Sequence, residues 1–321
     1  MEEELIKISK ELRNRKDSLK DLVKKGQVLM PDTAGEKIII PGYNFRPGAD
    51  LQSDQWYFNG FVIELGGNYL VVDPGVDFYS RFINAGLDPL RTSGIFVSHA
   101  HIDHTGSLEM FLEKTYRNQS KEISVFITQT GFNDLRVYHK EQLENKKHIK
   151  LYLVSEADHS RPFKWQGNDL KLVTLRHSIQ DTFGFTISLK NKEIGYLSDT
   201  GYASLVKTQQ GTFKPEEIEG EFVEILEKND SIKEAYKDAE VVVVNINDLQ
   251  YNRHSQYHLS GFDVRDIFTG AKLKHLIIHH LSPINADGED SNYLYKLFFR
   301  SQSYQVKVPH PWGMTFDIAS K

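Results

Sequence analysis

Apolar positions change their spacing early in this chain. Over residues 2–25 they recur at helical intervals: Leu5, Ile8, Leu12, Leu19 and Leu22 take a and d places of a heptad frame that breaks at Arg15, and Gly26 ends the run. This predicts an amphipathic helix over residues 1–27, either lying on its own domain or pairing two chains. From Lys37 the pattern shortens to strands at 37–40, 60–65 and 68–73, with Gly66-Gly67 as the hairpin turn between the last two. Further strand-like runs fall at 94–99, 124–128, 151–154, 171–175, 185–189, 193–199, 240–245, 275–280 and 314–318. Helical spacing returns at 107–117, 215–228, 231–239 and 261–272. Strands mixed with helices predict an α/β domain over residues 28–321 with helices packed outside sheets. Residues 202–240, rich in Lys and Glu, read as a helical insertion, either a solvated excursion or a substrate lid.

Composition narrows the chemistry. No stretch approaches the roughly 20 apolar residues that span a bilayer, so no membrane partner is expected. The chain has no cysteine, which excludes disulfides, thiolate metal sites and Cys nucleophiles. Any metal must then be held by His, Asp or Glu. The absence of cysteine and a charged N-terminus without an apolar signal core point to the cytoplasm. A net charge of −5 argues against a general polyanion binder.

The densest chemistry is Ser98-His99-Ala100-His101-Ile102-Asp103-His104, between an apolar strand and an amphipathic helix. Its imidazoles and carboxylate can converge on one point and suit zinc or another first-row divalent ion. They are too many for a single tetrahedral site with an open position. This H-x-H-x-D-H run resembles the signature of the metallo-β-lactamase superfamily. The resemblance implies a four-layer αββα metallo-β-lactamase sandwich, here with an N-terminal helical extension, and a two-metal site on one edge. It also implies later ligands, matched by His177 after one strand, Asp199 at the end of another, and a histidine at the end of HLIIHH. Neighbours on a strand point to opposite faces, so only one of His279 and His280 can enter the site. His280-Leu281-Ser282 resembles the closing triplet of the nuclease and phosphodiesterase branch, which selects His280. The arrangement then implies His99, His101 and His177 on one ion and Asp103, His104 and His280 on the other, bridged by Asp199. Asp73 matches the family's structural Asp.

Tyr257-His258-Leu259-Ser260 stands 22 positions before His280, with a helical segment between them. This layout is similar to ribonuclease Z and its phosphodiesterase relatives. There the histidine is no ligand and stands beside the leaving group. Three departures matter. The 22 positions from His177 to Asp199 hold one hairpin, where ribonuclease Z carries an arm for tRNA. The Glu that orients the histidine is replaced, with Asn247 or Asp248 as substitutes. The Arg that often follows the terminal triplet is missing.

The expectation is a dinuclear metal phosphodiesterase, with zinc first and manganese or iron as alternatives, acting on a small nucleotide diester. The leading substrate is a 3′,5′-cyclic nucleotide opened to the 5′-monophosphate. Asp103 and His258 are the catalytic candidates. Ser282 and Tyr57 are substrate-binding candidates, the latter beside Trp56 and Phe58 as a surface for stacking on a base. The rivals are a ribonuclease Z-like endoribonuclease, a lactone or thioester hydrolase on the same metals, and a non-enzymatic protein that keeps the ligands structurally. A homodimer is expected, and RNA is the less favoured partner.

Overall fold

The computed structural model describes residues 35–42, 59–115, 121–158, 161–218, 224–280, 289–309 and 313–319. The helix of residues 1–27, Trp56, Tyr57, Phe58 and Ser282 lie outside the described residues.

Two seven-stranded sheets carry the fold. The first half of the chain supplies β1 (Glu36–Pro41), β2 (Phe61–Leu65), β3 (Asn68–Val72), β4 (Thr92–Phe96), β5 (Ile123–Thr128) and β6 (Ile149–Val154). The second half supplies β7 (Phe163–Trp165), β8 (Asn168–Leu175), β9 (Thr182–Leu189) and β10 (Lys192–Leu197). After these come β11 (Ala203–Thr208), β12 (Gly211–Phe213), β13 (Glu224–Lys228), β14 (Val241–Asn245), β15 (His275–His279), β16 (Gln305–Lys307) and β17 (Gly313–Asp317). One large sheet runs β17-β1-β2-β3-β4-β5-β6 and the other β16-β15-β14-β10-β9-β8-β7. The last strand thus returns to the first sheet, pairing antiparallel with β1.

Alternation along the strands explains the layering. In β14, Val241 and Val243 join the core between the sheets, while Val242 and Val244 face the outer helices. A strand covered on both faces needs no polar position, hence the run of four valines. Helices α1 (Phe78–Asn84), α2 (Ile102–Thr105), α3 (Leu108–Thr115), α4 (Gln129–Asp134) and α5 (Val137–Asn145) follow strands of the first sheet. Phe78, Phe82, Phe111 and Leu143 cover its outer face. On the second sheet the same task falls to Ile232 and Tyr236 of α6 (Asp230–Tyr236), Val264 and Ile267 of α7 (Gly261–Ile267), and Tyr295 of α8 (Glu289–Phe298). The result is a four-layer αββα sandwich. No helix among the described residues is long and apolar enough to cross a membrane.

The insertion differs from its helical reading. Strands β11, β12 and β13 form a three-stranded antiparallel sheet ordered β12-β11-β13, and among the described residues between Ala203 and Lys228 only 215–217 make a short 3-10 turn. Helix appears later, in α6. The spacing of Ile218, Phe222, Ile225 and Leu226 suits a helix locally, but Glu224–Lys228 gains backbone partners by pairing with β11. That pairing buries Ala203, Val206 and Ile218 against Tyr251.

Candidate metal centre

The strands β3, β4, β8, β10, β14 and β15 all end at one edge of the sandwich, where Phe183 N donates to Ser98 O across the sheets at 3.0 Å. Each delivers a polar side chain at its last residue or within three residues beyond it. Two of those residues, Asp73 and His280, have positive φ of 44° and 56°, turning the chain sharply out of its strand. His101 lies before α2, whose first turn carries Asp103 and whose last carries His104.

Two groups of side chains converge there: His99, His101 and His177, and Asp103, His104, Asp199 and His280. In the first, His101 Nδ1 stands 3.1 Å from both His99 Nε2 and His177 Nε2. Donors about 2.0 Å from a tetrahedral ion are roughly 3.3 Å apart, so this spacing fits a shared cation. Burial pushes the His99 and His177 imidazoles down, leaving lone pairs for a metal. In the second group, Asp103 Oδ2 lies 3.0 Å from His280 Nε2 and 3.4 Å from His104 Nε2. Asp199 Oδ2 lies 3.3 Å from His104 Nε2 and 3.8 Å from His280 Nε2. Burial opposes ionisation of both carboxylates, but the surrounding imidazoles outweigh it and hold each well below the usual range. Burial alone would lower His104 and His280, yet the facing carboxylates raise both. The donor chemistry fits two divalent ions, and Asp199 also groups with His177 and His258.

His279 is fully buried behind the cluster, donating from Nε2 to Gly60 O at 3.2 Å, and burial pushes its imidazole down to about 3. His258 borders both groups. Its ring centroid is 5.0 Å from that of His177 and 6.1 Å from that of His280, and its Nδ1 is 3.7 Å from Asp199 Oδ2. Burial pushes its imidazole down to about 4 against the pull of Asp199.

Beneath the candidate ligands lies a network that sequence reasoning only partly found. Asp73 Oδ2 accepts from His104 Nδ1 at 2.8 Å, Ser98 Oγ at 2.6 Å and Tyr196 Oη at 2.5 Å. Such partners fix the tautomer and direction of a ligating imidazole. Asn245 Nδ2 donates to Asp199 Oδ1 at 2.8 Å, leaving Oδ2 toward the imidazoles. Neither substitute for the orienting Glu hydrogen-bonds the His258 ring. Asp248 Oδ1 accepts from Leu249 N at 2.7 Å within its own loop, and Asn247 N donates to Leu259 O. Asn245, the polar end of an apolar strand, is the residue facing the site, and it orients Asp199. Tyr196 had no signal beyond its place in the strand 193–199.

A family model described as Anti-Pycsar protein Apyc1 matches residues 48–214, just over half the chain. The chain is 28% identical over 151 residues to Uncharacterized protein MJ1374 of Methanocaldococcus jannaschii, spanning 44% of this chain and 54% of that relative, about half its length. Among solved structures it is similar to the metallo-β-lactamase fold protein YhfI from Bacillus subtilis, with TM-score 0.62 and 15% identity over 88% of this chain and 99% of the other. It is likewise similar to the short form of human tRNase Z, with TM-score 0.56 and 16% identity over 88% and 100%. These similarities show the metallo-β-lactamase sandwich.

Proposed function

This chain belongs to the Anti-Pycsar protein Apyc1 family, and from that premise we propose that it is a metal-dependent phosphodiesterase that opens 3′,5′-cyclic nucleotides to 5′-monophosphates. The observation that carries the reading is His258 standing beside both ligand groups without completing either. His99, His101 and His177 would hold one ion and Asp103, His104 and His280 the other, with Asp199 within reach of both groups. Zinc suits imidazole and carboxylate donors without thiolate, and manganese or iron accept the same set. When bound, such ions make water acidic enough to attack at neutral pH and offset charge on phosphoryl oxygens.

The side chains supply orientation and proton transfer. Asp103, kept ionised by His104 and His280, accepts a proton from the attacking water. Attack in line on phosphorus breaks the bond to O3′, and His258 delivers a proton to that oxygen, a contribution of about 10²- to 10⁴-fold. An anionic diester beside the ring raises the imidazole's affinity for that proton. Asn245 keeps Asp199 turned toward the ligands.

A small substrate suits the site's surroundings. The whole interval from His177 to Asp199 is the β9–β10 hairpin with its flanking turns, so no arm for a long RNA springs from it. Tyr57 and Ser282 remain proposed substrate contacts. We further propose that the protein acts in the cytoplasm as a homodimer; sedimentation after removal of residues 2–25 tests whether the segment bearing Leu5, Ile8, Leu12, Leu19 and Leu22 pairs two chains or lies on its own domain.

The reading is tested by offering the metal-loaded protein cyclic nucleotides, precursor tRNA, short RNAs and lactone or thioester substrates. Chelator-sensitive turnover of cyclic nucleotides with weak salt dependence is expected. Efficient tRNA cleavage with inert cyclic nucleotides restores the endoribonuclease. Selective ester turnover points to the other hydrolase.

A further inference from the structure

Three of the contacts that fasten the loop carrying His258, residues 246–260, lie away from the His258 ring. The first is Gly201, two residues beyond Asp199. A Cβ built there would stand 2.1 Å from the Gln256 carbonyl oxygen and 2.8 Å from its carbon, so two backbones touch where only glycine leaves room. Gly201 is not among the residues with positive φ, so alanine at this position is opposed by contact alone. The second is His177, whose Nδ1 donates to the Tyr257 carbonyl at 3.0 Å. That bond ties the residue preceding His258 to a candidate ligand. The third is Tyr251, at the root of the loop. Its ring is buried with Ala203, Val206 and Ile218 of the three-stranded sheet. Its Oη donates to Asp263 Oδ1 at 2.7 Å. Asp263 Oδ2 also accepts from Ser260 N and Ser260 Oγ, each at 2.9 Å. Chain on both sides of His258 is therefore held by one carboxylate.

Resting on the reading of His258 as proton donor, we infer that Gly201 and Tyr251, with the sheet of residues 203–228 behind Tyr251, are positioning residues for His258. They set where the loop can lie, and so hold the imidazole between His177 and His280 beside Asp199. The insertion buttresses this loop. It turns apolar side chains toward Tyr251 and Phe262 and leaves Lys207, Glu224 and Glu227 exposed. A catalytic group must be held within a fraction of an ångström, and misplacement by about 1 Å can cost on the order of 10²-fold.

The test is a double-mutant cycle in the full-length, metal-loaded protein. Gly201→Ala and Tyr251→Phe are each made with and without His258→Ala; the second keeps the ring and so the packing. Turnover of a 3′,5′-cyclic nucleotide is compared with that of a nitrophenyl phosphodiester, whose leaving group needs little protonation. Each single variant should lower kcat on the cyclic nucleotide about tenfold or more, with metal content unchanged and nitrophenyl turnover within about twofold. In the His258→Ala background neither should cost anything further, because the positioned group is already gone. A loss that persists undiminished there, or falls equally on both substrates, overturns the inference. A full His258→Ala effect with silent Gly201 and Tyr251 variants overturns it alone, while a silent His258→Ala removes the reading beneath it as well.

Discussion

Tyr196 Oη donates to Asp73 Oδ2 at 2.5 Å, joining the second sheet to the first directly beneath the candidate ligands. Both residues are buried, and Asp73 also receives His104 Nδ1. Burial and the facing carboxylate hold the Tyr196 phenol well above its ordinary value, so the hydroxyl keeps its proton. Tyr196→Phe should destabilise the protein by about 1–3 kcal/mol, the usual cost of a buried acceptor losing a partner. It should also weaken metal binding, because the carboxylate that directs His104 is freed. Urea unfolding with and without zinc separates the two effects.

His279 and His280 should respond differently to substitution. His280→Ala removes a group 3.0 Å from Asp103 and should lower the metal content from about two ions per chain to about one. His279→Ala removes a side chain bonded to Gly60 O and packed edge-on against Phe61, and should cost stability while both ions remain. Elemental analysis of protein purified without chelator reads the first, and thermal unfolding the second.

Metal uptake should release protons. Carboxylates hold His104 and His280 above the ordinary imidazole value, so both rings stay protonated to higher pH than a free histidine. A ligating imidazole must be neutral, so zinc binding should displace protons from these rings. Affinity should therefore rise with pH. Calorimetry in buffers of different ionisation enthalpy measures this directly, and a buffer-independent heat would contradict it.

Asp263 gives a stability signature of the opposite kind from an ordinary salt-bridged carboxylate. Burial raises its pKa from 3.8 to about 6 despite the bonds from Ser260 and Tyr251. The folded state then binds the proton more tightly than the unfolded state. Stability from this group is fully present below about pH 4 and is lost as pH rises through about 6, by at most about 3 kcal/mol. Compared with Asp263→Asn, the wild-type protein should gain stability between pH 7 and pH 4.5 in chelator-treated samples unfolded by urea.

The legible and illegible parts of the site differ for a physical reason. His99, His101, Asp103 and His104 fall within six positions after an apolar strand, where so many polar groups have no packing role. His177, Asp199 and His280 stand at or just past strand ends, where a lone polar residue carries little signal, and it was the resemblance to the metallo-β-lactamase superfamily that singled them out. Asn245 and Tyr196 sit inside strand patterns that read as core, and their roles depend on what crosses from another strand. The insertion was misread because helical spacing in 215–228 is local, whereas its pairing with β11 is not. Strands β7 and β16, of three residues each, are too short to show a period. Gly201 was invisible for the same reason as Asn245: its neighbour Gln256 is distant in sequence and close only in the fold.

We propose that His258 and the ligand cluster open a cyclic diester with O3′ as the leaving atom. Phosphorus NMR of metal-loaded protein with a 3′,5′-cyclic nucleotide tests it most directly. The 5′-monophosphate should accumulate, chelator should abolish it, and His258→Ala should slow it about 10²-fold or more. Formation of the 3′-monophosphate, or an unchanged cyclic nucleotide in a preparation that cleaves precursor tRNA, would contradict the account.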